Sequence, residues 1–213
     1  MDDSGFSSPL LARRRVLMRS LVLTAGLGLG TGLGRARAAE EAERAQAVGL
    51  RVVEVAEEQI GIPYAWGGGD RIGPGPGFCD DGNGYLNGVC MGDSTVGFDC
   101  SGLTLYAWYT ASGGTVDLPH YASAQYRTNR PVDRGELRPG DLLFFSRPDA
   151  PLHHTGIYAG GQAMIHAERT GTRVARLDGV FQDPRWEPEY AGAVRPAPQL
   201  SSPRSRKAPA SRR

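Results

Sequence analysis

From residue 137 onward the chain is a series of short apolar segments separated by turn residues, and this pattern limits the fold more than any other stretch. Leu142-Leu143-Phe144-Phe145 follows a Pro139-Gly140 turn as an unbroken apolar run, suited to a strand buried on both faces. Residues 155–159 and 163–167 lie on either side of Gly160-Gly161, a dipeptide that supplies the positive φ of a tight hairpin. Residues 172–177 alternate as a third strand would, and residues 190–195 offer a last one. The earlier part has helical spacing instead. Within residues 40–60, Val48, Val52, Val55, Ala56 and Ile60 form an apolar stripe, glutamates take the other side, and Gly61-Ile62-Pro63 stops the helix. Helices followed by hairpin-linked strands predict an α+β domain with helices packed on an antiparallel sheet. The 30 glycines and 15 prolines point to a loop-rich domain rather than a helical bundle, and a net charge of +1 provides no field to recruit nucleic acid.

The two ends do not share this character. Arg13-Arg14-Arg15-Val16-Leu17-Met18-Arg19, an uncharged run from Leu21 to Gly34, and Ala36-Arg37-Ala38 read as an export signal over residues 1–38, of twin-arginine type, cut before Ala39. The alternative is a retained anchor, for which the run is short and rich in glycine. Residues 196–213 are Pro, Ser and Ala with Arg204, Arg206, Lys207, Arg212 and Arg213 and no acid, a composition that buries no apolar face and predicts a disordered basic tail. Residues 39–195 are left as the domain.

Three cysteines in an exported chain suggest one bridge and one free thiol. Cys79 and Cys90 share a loop rich in Gly, Asn and Asp and are the natural pair; no Cys-x-x-Cys or Cys-x-x-His spacing supports a zinc site. Cys100 then stays free. It stands where Gly97-Phe98-Asp99 ends and an apolar helix opens with Ser101 and Gly102, placing Leu103, Tyr106, Ala107 and Thr110 on one face. Unpaired N–H groups and the helix dipole favour a thiolate there, whereas a small buried hydrophobe is the plainer reading. Of four histidines, His154 directly precedes the first strand of the predicted hairpin and His166 lies on the second, so pairing the strands brings them near enough for one imidazole to orient the other. A histidine is usually structural, but this pair beside a free cysteine has the makings of a nucleophile–base system.

Several blocks together resemble a known family. They are Pro63-Tyr64-Ala65-Trp66-Gly67-Gly68, Gly97-Phe98-Asp99-Cys100-Ser101-Gly102-Leu103, Leu118-Pro119, Arg138-Pro139-Gly140-Asp141-Leu142-Leu143-Phe144-Phe145, His154-Thr155-Gly156-Ile157-Tyr158 and Met164-Ile165-His166-Ala167. In this order, over residues 50–195, they are similar to the NlpC/P60 family of bacterial cell-wall cysteine peptidases, which have a papain-like core. The resemblance implies Cys100 as nucleophile, His154 as general base and then acid, and His166 as its orienting partner. It also implies Tyr64 beside the oxyanion, and Asp99 and Ser101 receiving the stem peptide, although Asp99 equally suits an N-cap. It implies no cofactor and no metal, a peptidoglycan stem peptide as partner, and cleavage between D-γ-glutamyl and diaminopimelate. The export signal makes the enzyme a secreted one, and nothing in the sequence suggests more than a monomer. An N-acetylmuramoyl-L-alanine amidase, an acyltransferase or a non-catalytic wall-binding module would use the same fold. The chain departs from the family's pattern in three places. Residues 69–96 form an inserted loop, His153 beside His154 leaves the base ambiguous by one position, and His120 reads as a surface or cleft-rim residue.

Overall fold

The computed structural model describes residues 29–198, with side chains from residue 33. The chain divides into two compact units, Met1–Arg37 and Ala38–Arg213. Of the first unit only a helical stretch, residues 29–37, is described; the remainder of the predicted export signal and residues 199–213 of the basic tail lie outside the described residues. Among the described residues no helix is long and apolar enough to cross a membrane.

The first helix, α1 (Leu29–Glu57), begins well before the expected residue 40 and runs through the expected cut. Residues 36–45 are mostly Ala, Glu and Arg, strong helix formers with no breaker among them, so nothing local starts the helix later. It also ends earlier than expected. Ile60 sits in the turn beyond it, 46% exposed, and is not part of the stripe; Val52, Val55 and Ala56 are buried as predicted.

Two small ladders follow, β1 (Gly75–Pro76) with β4 (Val96–Gly97) and β2 (Tyr85–Leu86) with β3 (Val89–Cys90). The second ladder lies inside a loop closed by a Cys79–Cys90 disulfide, a closure that contributes about 2–3 kcal/mol by restricting the unfolded chain. The nucleophile-candidate helix α2 (Cys100–Ala111) and α3 (Ala122–Thr128) come next. The strands β5 (Arg130–Val132), β6 (Leu142–Ser146), β7 (Leu152–Gly160), β8 (Ala163–His166), β9 (Ala175–Leu177) and β10 (Tyr190–Arg195) complete the order. They form one antiparallel sheet in the order β5-β10-β6-β7-β8-β9.

The unbroken apolar run of β6 feeds two cores. Leu142 and Phe144 join Val52, Leu103, Ile157 and Ile165 on one face of the sheet, while Leu143 and Phe145 join Met164, Val180 and Trp186 on the other. The four apolar β6 side chains are fully buried, each stabilising by about 2 kcal/mol relative to exposure. Helix α2, in contact with β7 and α3, is covered nearly all round. Leu105 and Trp108 are buried along with Leu103 and Ala107, whereas Thr110, expected on the inner face, is exposed. A single stripe describes a helix buried on one side and misses one buried on several.

Candidate active site

The site begins with a cap. Asp99 stands at the N-cap of α2, where its Oδ1 accepts the Gly102 N–H at 2.6 Å and the Ser101 hydroxyl at 3.0 Å, and its Oδ2 accepts the Gly67 N–H at 3.1 Å. These bonds fix the helix start and place Cys100 at the first helical position, with the unpaired N–H groups of the first turn around it. Cys100 is free and buried, 9% exposed, at the floor of a cleft of about 890 Å³. Tyr64, Trp66 and the disulfide-closed loop from Phe78 to Asn87 line the cleft on one flank; residues 120–123 and the segment around Glu168 line others. The inserted loop is therefore a wall of the cleft. Its Leu86 lies where any Cβ at Gly171 would approach within 3.1 Å, so the wall reaches the turn that follows β8.

The two predicted histidines meet. His154 on β7 and His166 on β8 are 2% and 4% exposed, and His154 Nε2 lies 2.9 Å from His166 Nδ1. The bare Gly156 permits this. It shares a strand face with His154, and a Cβ there would come within 2.6 Å of Met164 Cγ and 3.2 Å of His166 Cβ. Trp186 covers the pair, stacking on His154 at 4.7 Å between ring centroids and meeting His166 edge-on at 5.3 Å. Arg185 lies 4.6 Å above the Trp186 ring and pairs with Glu168. His153 is outside this arrangement, with its Nε2 2.9 Å from Glu189.

Burial dominates the electrostatics. It lowers His154 well below the ordinary imidazole value, with the charges of His166, His153 and Arg185 adding, and lowers His166 to about 4, with Glu168 opposing. It pushes the Cys100 thiol up to about 12, and the neighbouring Asp99 carboxylate pushes further. The backbone N–H groups of Thr155, Ser101 and Cys100 act the other way. A helix start alone favours thiolate, but here desolvation outweighs it, and the resting pair is a neutral thiol and a neutral imidazole. Tyr64, 5% exposed, is held protonated by burial and by the nearby Cys100 and Asp99. Among the described residues no hydrogen bond joins Cys100 to His154; the connection runs through Thr155, next in the strand after His154, whose N–H acts on the sulfur.

Asp99 and Ser101 both line the cleft, but their polar atoms are largely engaged within the chain. Two residues beside the site, Trp186 and Arg185, gave no signal in the pattern of the sequence and lie in an irregular segment. His120 lines the cleft as expected of a rim residue, and its Nε2 also lies 3.0 Å from Asp99 Oδ1, a contact the sequence did not indicate. Cys79, Cys90 and Asp93 are near enough together for a metal, but both sulfurs are spent in the disulfide.

Residues 61–195 match the model of the NlpC/P60 family. The peptidoglycan endopeptidase RipA of Mycobacterium tuberculosis is 38% identical over 123 residues, which cover 58% of this chain and 23% of that protein. The murein DD-endopeptidase MepH of Escherichia coli is 31% identical over 141 residues, covering 65% of this chain and 42% of that protein. The chain thus spans less than half the length of the curated relatives it matches. Among solved structures, the P60 domain of antigen MAP1204 from M. avium subspecies paratuberculosis superposes with a TM-score of 0.54 at 26% identity, over 71% of this chain and 96% of that one.

Proposed function

Since the chain belongs to the NlpC/P60 family and carries its papain-like α+β fold, we propose that it is a secreted cysteine endopeptidase of peptidoglycan stem peptides, cleaving between D-γ-glutamyl and diaminopimelate. On this reading residues 1–38 direct export, residues 39–195 are the catalytic domain, and the basic tail is a solvated extension. The observation that carries the reading is the buried His154–His166 pair, covered by Trp186, with His154 on the strand whose Thr155 N–H reaches the one thiol outside the disulfide.

The chemistry follows from these positions. With Nε2 of His154 bonded to His166, Nδ1 is the nitrogen open to accept a proton. As the scissile carbonyl enters the cleft, the Cys100 sulfur attacks its carbon and the thiol proton passes to His154. The resulting oxyanion accepts hydrogen bonds from the Cys100 N–H and the Tyr64 hydroxyl, which burial keeps protonated. Breaking the C–N bond releases the amine with the proton from His154 and leaves a thioester on Cys100. Water, losing a proton to His154, then attacks the thioester, and the departing sulfur regains that proton. His166 holds the imidazole in one orientation through both halves. Asp99 and Ser101 border the incoming peptide and act chiefly by shaping the helix start.

Incubating the chain and its Cys100→Ala variant with peptidoglycan, with fragments identified by mass spectrometry, tests the proposal. Fragments ending in D-glutamate, formed only by the unaltered chain, are expected. An absence of Cys100-dependent fragments overturns the enzymatic reading, and fragments with a free muramic lactyl group would replace the bond with that of an amidase.

A further inference from the structure

We propose that His120 is a positioning residue for Cys100, setting through the Asp99 carboxylate how readily the thiol gives up its proton. The inference rests on Cys100 as the nucleophile and goes on to say what controls it. Asp99 directly precedes Cys100, and its negative charge opposes the thiolate. Oδ1 of this carboxylate accepts three donors, namely the Gly102 N–H, the Ser101 hydroxyl and His120 Nε2 at 3.0 Å. Only the third can bring a full positive charge. Gly102 makes room for it, since any Cβ there would lie 3.0 Å from His120 Nε2 and would collide with the Gly68 carbonyl oxygen. The Asp99 side chain is 12% exposed and that of His120 29%, so the pair is shielded from bulk solvent but remains in proton exchange with the cleft.

The charged groups acting on His120 are Asp99, by hydrogen bond and charge, and Asp70 by charge; together they outweigh burial and keep the ring a cation to higher pH than a free imidazole. As a cation it cancels the Asp99 field at the sulfur and favours thiolate. Once it loses its proton, the carboxylate acts on Cys100 unopposed. The Coulomb interaction of such close, partly buried charges is large enough to move a thiol by about one pKa unit, a tenfold change in thiolate at a given pH. The rest of the site shows why this matters. Burial already pushes the thiol far up, so a neighbouring fixed charge decides how much proton affinity remains for His154 to overcome.

The test reads the thiol directly. Cys100 is the one free cysteine, so its alkylation by iodoacetamide is followed against pH in the full chain and in His120→Gln and His120→Arg. At pH 6 His120→Gln, which retains a hydrogen-bond donor, is expected to react about tenfold more slowly, and His120→Arg, which retains the charge, within about twofold of the unaltered chain. As pH rises through the His120 titration, followed by NMR of the ring, the ratio of unaltered chain to His120→Gln falls toward one. In the unaltered chain alone the logarithm of the rate climbs less than one unit per pH unit over that range. A pH-independent ratio, an arginine variant as slow as the glutamine one, or a slope of one throughout overturns the proposal. The readout needs no peptidoglycan, so a chain that alkylates as expected but releases no wall fragments refutes the peptidase reading alone.

Discussion

The His154–His166 pair and the His120–Asp99 pair are built around the same imidazole ring and are held in opposite states. In the first, two rings are buried under Trp186 and face each other, so desolvation wins and both stay neutral. In the second, a half-buried ring faces a carboxylate, and the ion pair wins over a smaller burial cost. A base must be neutral to accept a proton, and a counter-charge must be charged to act. On the proposed mechanism the fold meets each requirement by the choice of partner and the depth of burial.

The largest break in this comparison comes from the neutral pair. His154→Ala removes the proposed proton acceptor and is expected to lower kcat for peptidoglycan cleavage by at least about 10³-fold, with unchanged far-UV circular dichroism. Acid comes next. His166 titrates at about 4 when folded and at its ordinary 6.5 when unfolded, so the unfolded chain binds the proton first. The stability of the neutral form is present above pH 6.5 and is lost as pH falls toward 4, by about 3 kcal/mol. Denaturant midpoints at pH 7 and pH 4 measure this loss, and His166→Gln should reduce it without abolishing it, because buried His154 still resists protonation. Gly156→Ala forces a methyl toward Met164 and His166; a loss of about 1–3 kcal/mol in thermal or denaturant unfolding is expected, with reduced kcat because His166 is displaced. His120 has the opposite sign to His166. Its raised pKa gives stability that is present below 6.5 and disappears as pH rises through the folded value, so His120→Gln should destabilise at pH 6 and not at pH 9. Smallest of all is His153→Gln. Its ring pairs with Glu189 away from His166, and kcat should stay within about twofold.

What could be read from the chain beforehand was local. The hairpin around Gly160-Gly161 announces itself through composition, and its register carries His154 and His166 onto adjacent strands. The apolar run of β6 announces a strand, though not that its alternate side chains serve two cores. Residues that act across long sequence distances left no local trace. Trp186 reaches the histidines only because β10 returns to pair with β6, and His120 reaches Asp99 only because the chain after α2 folds back over the helix start. The state of Cys100 was hidden for a related reason. Its place at a helix start is local and argues for thiolate, while the burial that reverses it is a property of the assembled core.

That burial also bears on chemical durability. Peroxides and other oxidants attack thiolates that solvent can reach, and successive oxygen additions to sulfur soon become irreversible. Surroundings oxidising enough to keep Cys79 joined to Cys90 are therefore hostile to a reactive cysteine. Cys100, covered and protonated at rest, presents a poor target, and on the proposed mechanism its reactivity emerges only when a carbonyl and a neutral His154 are both at hand. The same reluctance to ionise that keeps the resting sulfur quiet shields it from oxidation.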